Sequence, residues 1–161
     1  MSDKRTNIHG TAFRINDIGI LCVGASGSGK SELVFSMIAE ATRWGASAAL
    51  IADDQVLLSV DQHSVIAHRP PSTAGLIELR GSGIFEIGSE ESVALVCVIT
   101  PELSFGNERL PPMDERYHFA SDFSLPLYRI PAHSLTPYAK FSAFVADLCR
   151  DGTIGGQLLQ K

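Results

Sequence analysis

Two clusters of residues in this chain have types and spacing suited to chemistry. One is the glycine- and serine-rich stretch Gly24-Ala25-Ser26-Gly27-Ser28-Gly29-Lys30-Ser31, and the other is the adjacent pair Asp53 and Asp54. The first satisfies G-x-x-x-x-G-K-[ST] at every fixed position, the pattern of a loop that wraps phosphate groups with its backbone N–H donors. Glycine is required there because the backbone must approach the phosphates closely and use dihedrals that a side chain forbids. Lys30 would reach the terminal phosphates and the Ser31 hydroxyl would ligate Mg²⁺, while a helix opening at this point adds its unpaired N–H groups and its dipole. The expected ligands are ATP or GTP with Mg²⁺.

The aspartates close a short apolar run, Ala48 to Ala52. Neighbouring side chains at a strand end point in different directions, so one carboxylate can face the metal while the other faces the phosphoryl acceptor as general base. On its own the pair would equally suit a turn or a cap.

The surrounding pattern supplies the elements that must hold these groups. Ile18 to Val23 is apolar at nearly every position and reads as a buried strand, with a shorter one, Thr11 to Asn16, before it. From Lys30 to Thr42 the apolar residues Leu33, Met37 and Ala41 recur at helical spacing, and Gly45 is a stop. Residues 18–54 therefore read as a strand, phosphate loop, helix and strand in a parallel crossover. Beyond it, Val56–Val60, Ser64–Ala67, Leu76–Leu79, Ile84–Ile87 and Val93–Ile99 alternate between turns and read as short strands. Arg69-Pro70-Pro71, Leu110-Pro111-Pro112 and Ile130-Pro131 read as turns. Pro137 to Arg150, with Thr136 as N-cap and Gly152 as stop, reads as an amphipathic helix carrying Phe141, Phe144, Val145 and Leu148 on one face. The expected fold is α/β: a phosphate-loop kinase core with a mostly β, partly parallel sheet and few helices, in one domain over residues 1–161.

Composition narrows the function classes. With 161 residues, 45% of them apolar and 19% charged, the chain is of ordinary domain size and folds on a hydrophobic core. A net charge of -5 offers no field to attract a polyanion, so nucleic acid is not an expected partner. The apolar runs are too short to span a bilayer, so no membrane partner is expected either. Three cysteines, Cys22, Cys97 and Cys149, lie in apolar stretches without CxxC spacing and read as core thiols of a cytoplasmic protein.

Four pieces of the chain resemble the catalytic domain of the HPr kinase/phosphorylase family, which phosphorylates a serine on the phosphocarrier protein HPr. They are Ile8-His9-Gly10, the loop Gly24–Ser31 followed by Glu32, Ala52-Asp53-Asp54, and Leu76-Ile77-Glu78-Leu79-Arg80-Gly81-Ser82-Gly83-Ile84. The last is similar to the family's Ile-Glu-Val-Arg-Gly-Leu-Gly-Ile stretch. The resemblance implies an ATP- and Mg²⁺-dependent serine kinase acting on an HPr-like phosphocarrier, of the short type that lacks an N-terminal domain, and it implies a homo-oligomer, hexameric in the family. It also implies roles: Asp53 as the base that takes the serine proton, His9 as its electrostatic neighbour, Ser31 and Asp54 on the metal side, and Glu78 and Arg80 in the metal and phosphate surroundings. By spacing alone Glu78 and Arg80 would also suit a plain ion pair. Glu108-Arg109-Leu110 resembles the segment whose Arg binds phosphate for phosphorolysis, which makes Arg109 a further catalytic candidate. Pro111 stands where the family has Gly, so phosphorolysis is expected to be weak or absent.

Two other classes fit the phosphate loop. A small-metabolite kinase would need a lid with several arginines, and here Arg69, Arg80, Arg109, Arg116, Arg129 and Arg150 are scattered. A nucleotide-gated binding module would use the loop and the metal but would not need a base.

Overall fold

The computed structural model describes residues 5–60, 63–104, 106, 110–112, 114–119 and 123–150, with the side chains of the last helix described up to residue 146. The elements are β1 (Thr6–His9), β2 (Thr11–Ile15), β3 (Ile18–Cys22), α1 (Lys30–Arg43), β4 (Ala48–Ala52), β5 (Gln55–Val60), β6 (Val65–His68), a 3₁₀ turn at Pro71–Thr73, β7 (Leu76–Leu79), β8 (Gly83–Glu86), β9 (Ser92–Glu102), β10 (Arg116–His118), β11 (Ser124–Pro131) and α2 (Pro137–Arg150). Among these, nine strands form one mixed sheet along β1-β5-β6-β9-β3-β2-β4, with β11 on β9 and β10 on β11, while β7 and β8 form a separate hairpin.

β9 organises the sheet. Its first residues pair with β6 antiparallel, and its later ones pair in parallel with β3 and with β11. At Gly19 the two central strands touch: a Cβ there would come within 2.1 Å of the Ala94 carbonyl oxygen, so no other residue fits without moving the strand.

The crossover differs from the sequence expectation. β3 and β4 run the same way, but they do not pair, because β2 lies between them and is antiparallel to both. The cause is local: the two-residue turn Asn16-Asp17, with Asn16 at φ 50°, folds β2 directly back on β3 and takes the place a crossover strand would fill. Ile130-Pro131 is likewise not a turn but the end of β11, paired with Pro101 and Glu102 of β9. Proline is tolerated there because β10 covers only Ser124 to Pro126, so the far end of β11 lies on a sheet edge.

Alternation along the strands divides the interior into two layers. Phe13, Ile15, Ile20, Cys22, Cys97 and Ile99 face α1 and α2, meeting Leu33, Val34, Met37 and Phe141. Ala12, Leu21, Ile51 and Val98 face the other way, onto Val56, Leu58, Val65 and Ala67 of β5 and β6. Each large side chain fully buried here contributes roughly 1.5–3 kcal/mol relative to exposure. Glu40 of α1 accepts hydrogen bonds from the Tyr138 and Ala139 N–H groups and so caps the first turn of α2. Burial pushes the Cys97 thiol up to about 12 and raises that of Cys22 as well, which makes both inert core groups. Among the described residues no helix is long and apolar enough to cross a membrane.

Candidate active site

The phosphate loop begins where β3 ends, and the Val23 N–H donates to the Ile99 carbonyl (2.9 Å), which fixes its root on β9. Gly27, at φ 77°, uses the left-handed region, and a Cβ there would stand 3.3 Å from an Arg80 guanidinium nitrogen, so its bare backbone admits the arginine over the loop. Gly29, also left-handed at φ 92°, opens α1 without any side-chain cap among the described residues, which leaves the first-turn N–H groups facing the loop. The buried Ser28 Oγ has no hydrogen-bond partner among the described residues. Lys30, at the first position of α1, is buried; its ammonium donates to the Gly24 and Ala25 carbonyls (3.0 and 2.9 Å) and to His9 Nε2 (3.1 Å).

Asp53 and Asp54 sit in opposite environments. Asp53 is buried, and its Oδ1 accepts from the hydroxyls of Thr11 (2.8 Å) and Ser31 (2.7 Å), while Oδ2 accepts from the Glu78 backbone N–H (3.1 Å). The Asp54 side chain is 71% exposed. Its backbone stands at φ 67°, and the Gln55 N–H closes on the Asp53 carbonyl (2.8 Å), so Asp54 is the central residue of a three-residue turn with positive φ, a strained arrangement for a non-glycine residue. That turn is held from β1: His9 Nδ1 lies 3.1 Å from the Asp54 carbonyl and 3.0 Å from Oδ1, and the Gly10 N–H donates to the same carbonyl (3.2 Å). Because the Lys30 ammonium can only donate, His9 Nε2 accepts, and the imidazole proton is assigned to Nδ1, aimed at Asp54.

One pocket is lined by His9, Ser26, Gly27, Gly29, Lys30, Ser31, Asp53, Asp54, Glu78 and Arg80, together with Thr11 and Glu32. Gly24, Ala25 and Ser28 complete the same loop. Glu78 and Arg80 come from the β7–β8 hairpin, whose Ile77 and Leu79 anchor it in the helix-side core. Arg109 and Glu108 lie outside the described residues.

The contacts of the aspartates are exchanged relative to expectation. Ser31 meets Asp53 and not Asp54, and His9 meets Asp54 and not Asp53. The reason is the positive φ of Asp54, which breaks strand alternation and turns its carboxylate out toward β1 while Asp53 stays buried behind the loop. No motif marks Thr11 or the Glu78 N–H. The signal available for Thr11 is a polar residue opening the otherwise apolar run Ala12-Phe13, which in a core must find a partner.

The donor set suits Mg²⁺, which keeps several waters and takes few protein ligands alongside substrate phosphates. The Ser31 hydroxyl donates its hydrogen bond to Asp53 Oδ1 and so presents only oxygen lone pairs outward. Carboxylates of Asp53 and Glu78 stand in the same pocket, and Lys30 and Arg80 bring the positive charge that polyphosphate needs.

Comparison with known proteins identifies the family. The family model "HPr Serine kinase C-terminal domain" matches residues 2–96. The HPr kinase/phosphorylase of Lactobacillus acidophilus is 38% identical over 85 residues, covering 52% of this chain and 24% of the relative. That of Clostridium botulinum (strain Eklund 17B / Type B) is 37% identical over 90 residues, covering 54% of this chain and 28% of the relative. The matched stretch is thus only about a quarter of the length of these relatives. A solved Hpr(Ser) kinase/phosphatase from Coxiella burnetii shares the fold, with a TM-score of 0.71 at 20% identity over 91% of this chain and 98% of that one. With its family match spanning the phosphate loop, both aspartates and the Glu78–Arg80 hairpin, the chain belongs to the HPr serine kinase C-terminal domain family.

Proposed function

We propose that this chain transfers the terminal phosphoryl group of ATP, with Mg²⁺, to a serine hydroxyl of an HPr-like phosphocarrier protein. The observation that carries the reading is the continuous chain Lys30–His9–Asp54, which joins the lysine of a phosphate loop to an exposed, strained carboxylate in the same pocket. Asp54 is the base: it is open to an incoming protein side chain, and His9 orients it through Nδ1–H. The seryl proton passes to its carboxylate as the seryl oxygen bonds to phosphorus and the bond to the leaving phosphate oxygen breaks. Lys30 and Arg80 neutralise the charge on the phosphates, a task that positioned cations perform best in a partly water-excluded cleft. Ser31, Asp53 and Glu78 are the residues that would hold Mg²⁺, which would supply further positive charge to the phosphates.

The direct test is incubation with radiolabelled ATP, Mg²⁺ and an HPr-like protein. Label on a serine of the carrier is expected, and its absence with intact nucleotide binding contradicts the reading. Forward transfer dominates in this account, because the segment at Leu110-Pro111-Pro112 is stiffened by two prolines and Asp114 follows them, which disfavours capture of inorganic phosphate. Supplying serine-phosphorylated carrier and excess phosphate should therefore release little pyrophosphate; release at a rate matching the kinase reaction would contradict this.

A further inference from the structure

We infer that Thr11 is a positioning residue for the metal side of the site: its hydroxyl fixes Asp53 in the orientation that faces Ser31. The inference rests on the reading of Asp53 above. Thr11 is completely buried at the start of β2, and its hydroxyl donates to Asp53 Oδ1 at 2.8 Å. The same oxygen receives the Ser31 hydroxyl, and the other receives the Glu78 N–H, so three elements hold one carboxylate. Of these donors only Ser31 would also touch a cation. Thr11 is stiff, being β-branched and paired in the ladder opposite Cys22, and so it keeps Oδ1 aimed while Ser31 adjusts.

The placement adds a second consequence. Within His9-Gly10-Thr11 the first two residues hold Asp54 and the third holds Asp53, so one tripeptide sets both carboxylates. Thr11 touches neither His9 nor Lys30 by hydrogen bond, and its removal should therefore act on the metal alone.

The test is Mn²⁺ binding followed by electron paramagnetic resonance on the full chain with a non-hydrolysable ATP analogue, comparing wild type with Thr11→Val, Thr11→Ser and Asp53→Asn. Thr11→Val keeps the shape and loses the donor, and it should weaken Mn²⁺ binding by about 10-fold or more, the usual effect of removing an outer-shell partner. Thr11→Ser keeps the donor and should stay within about threefold of wild type, and metal-free nucleotide affinity should not change in either. If Asp53→Asn weakens Mn²⁺ binding while Thr11→Val does not, the inference about Thr11 is overturned and the reading of Asp53 stands. Unchanged Mn²⁺ binding in Asp53→Asn would instead overturn that reading. Equal weakening in Thr11→Val and Thr11→Ser would assign the effect to altered packing at this position and not to the hydroxyl donor, and would also overturn the inference. Should Thr11→Val fail to fold by thermal melting, Thr11→Ala takes its place in the same comparison.

Discussion

The stretch from Arg5 to Glu102 and the stretch from Leu110 to Arg150 share one fold and answer to different constraints. The first contains every described residue of the pocket, and the family model ends within it, at residue 96. The second contributes β10, β11 and α2, whose described residues serve packing: Ile130 and Phe141 in the helix-side core, Leu125 in the other layer, and Tyr128 stacked on Phe144 at 4.9 Å between centroids. The likeness to the solved Coxiella burnetii structure nonetheless extends over 91% of the chain. A pocket lined by a lysine, two aspartates and an arginine depends on residue type, whereas a packing layer asks only for apolar volume in the right period, which many sequences supply.

Substitutions should separate the two regions. The largest effect is expected for Lys30→Ala, which removes charge from the phosphates and the donor to His9 together. Transfer should fall by roughly 10³-fold with little change in melting temperature. Wild-type turnover in a phosphoryl-transfer assay would break the assignment of chemistry to the first region.

Arg129→Gln probes the second region. Arg129 forms a two-pronged pair with Glu115, both contacts at 2.7 Å, and a further contact with Glu102, tying the segment before β10 and the end of β9 to β11. Its loss should lower stability by about 1.5–3 kcal/mol and leave transfer within about twofold of wild type. A melting curve and an assay on the same sample read both.

A smaller effect sharpens that prediction by pH. Hydrogen bonding to Arg129 holds the Glu115 carboxyl below its ordinary value of 4.5. A carboxylate lowered in the folded state contributes stability that is fully present above the unfolded value and is lost as pH falls through the folded one. Wild type should therefore lose stability to acid below about pH 4.5, and Arg129→Gln should show a shallower loss over that range. Parallel curves of melting temperature from pH 6 to 3 would contradict the pairing.

Legibility in the sequence cuts across that division, since α2 in the second region is read with its observed bounds, Pro137–Arg150. α1 and β3 are plain because a fixed motif and strong apolar periodicity coincide there, and β5 to β9 because Gly, Ser and Pro turns bracket alternating runs. β1 is hidden by its composition, since Thr6-Asn7-Ile8-His9 is mostly polar, as an edge strand can be. β11 is hidden by Pro126 and Pro131 and by a parallel partner about 30 residues away that no local pattern encodes. In the site, the loop and the aspartate pair can be read directly, but the direction of each carboxylate cannot, because alternation assumes extended backbone and Asp54 does not have it.

That direction is the central claim, and one paired measurement tests it. Asp54→Asn and Asp53→Asn are compared in a transfer assay as a function of Mg²⁺ concentration. Asp54→Asn should lower the maximal rate by about 10²–10⁴-fold at an unchanged Mg²⁺ midpoint, the contribution expected of a general base. Asp53→Asn should shift the midpoint upward by about 10-fold or more, as loss of a metal-side carboxylate does. The reverse pattern, with the rate loss at Asp53 and the midpoint shift at Asp54, would contradict the account.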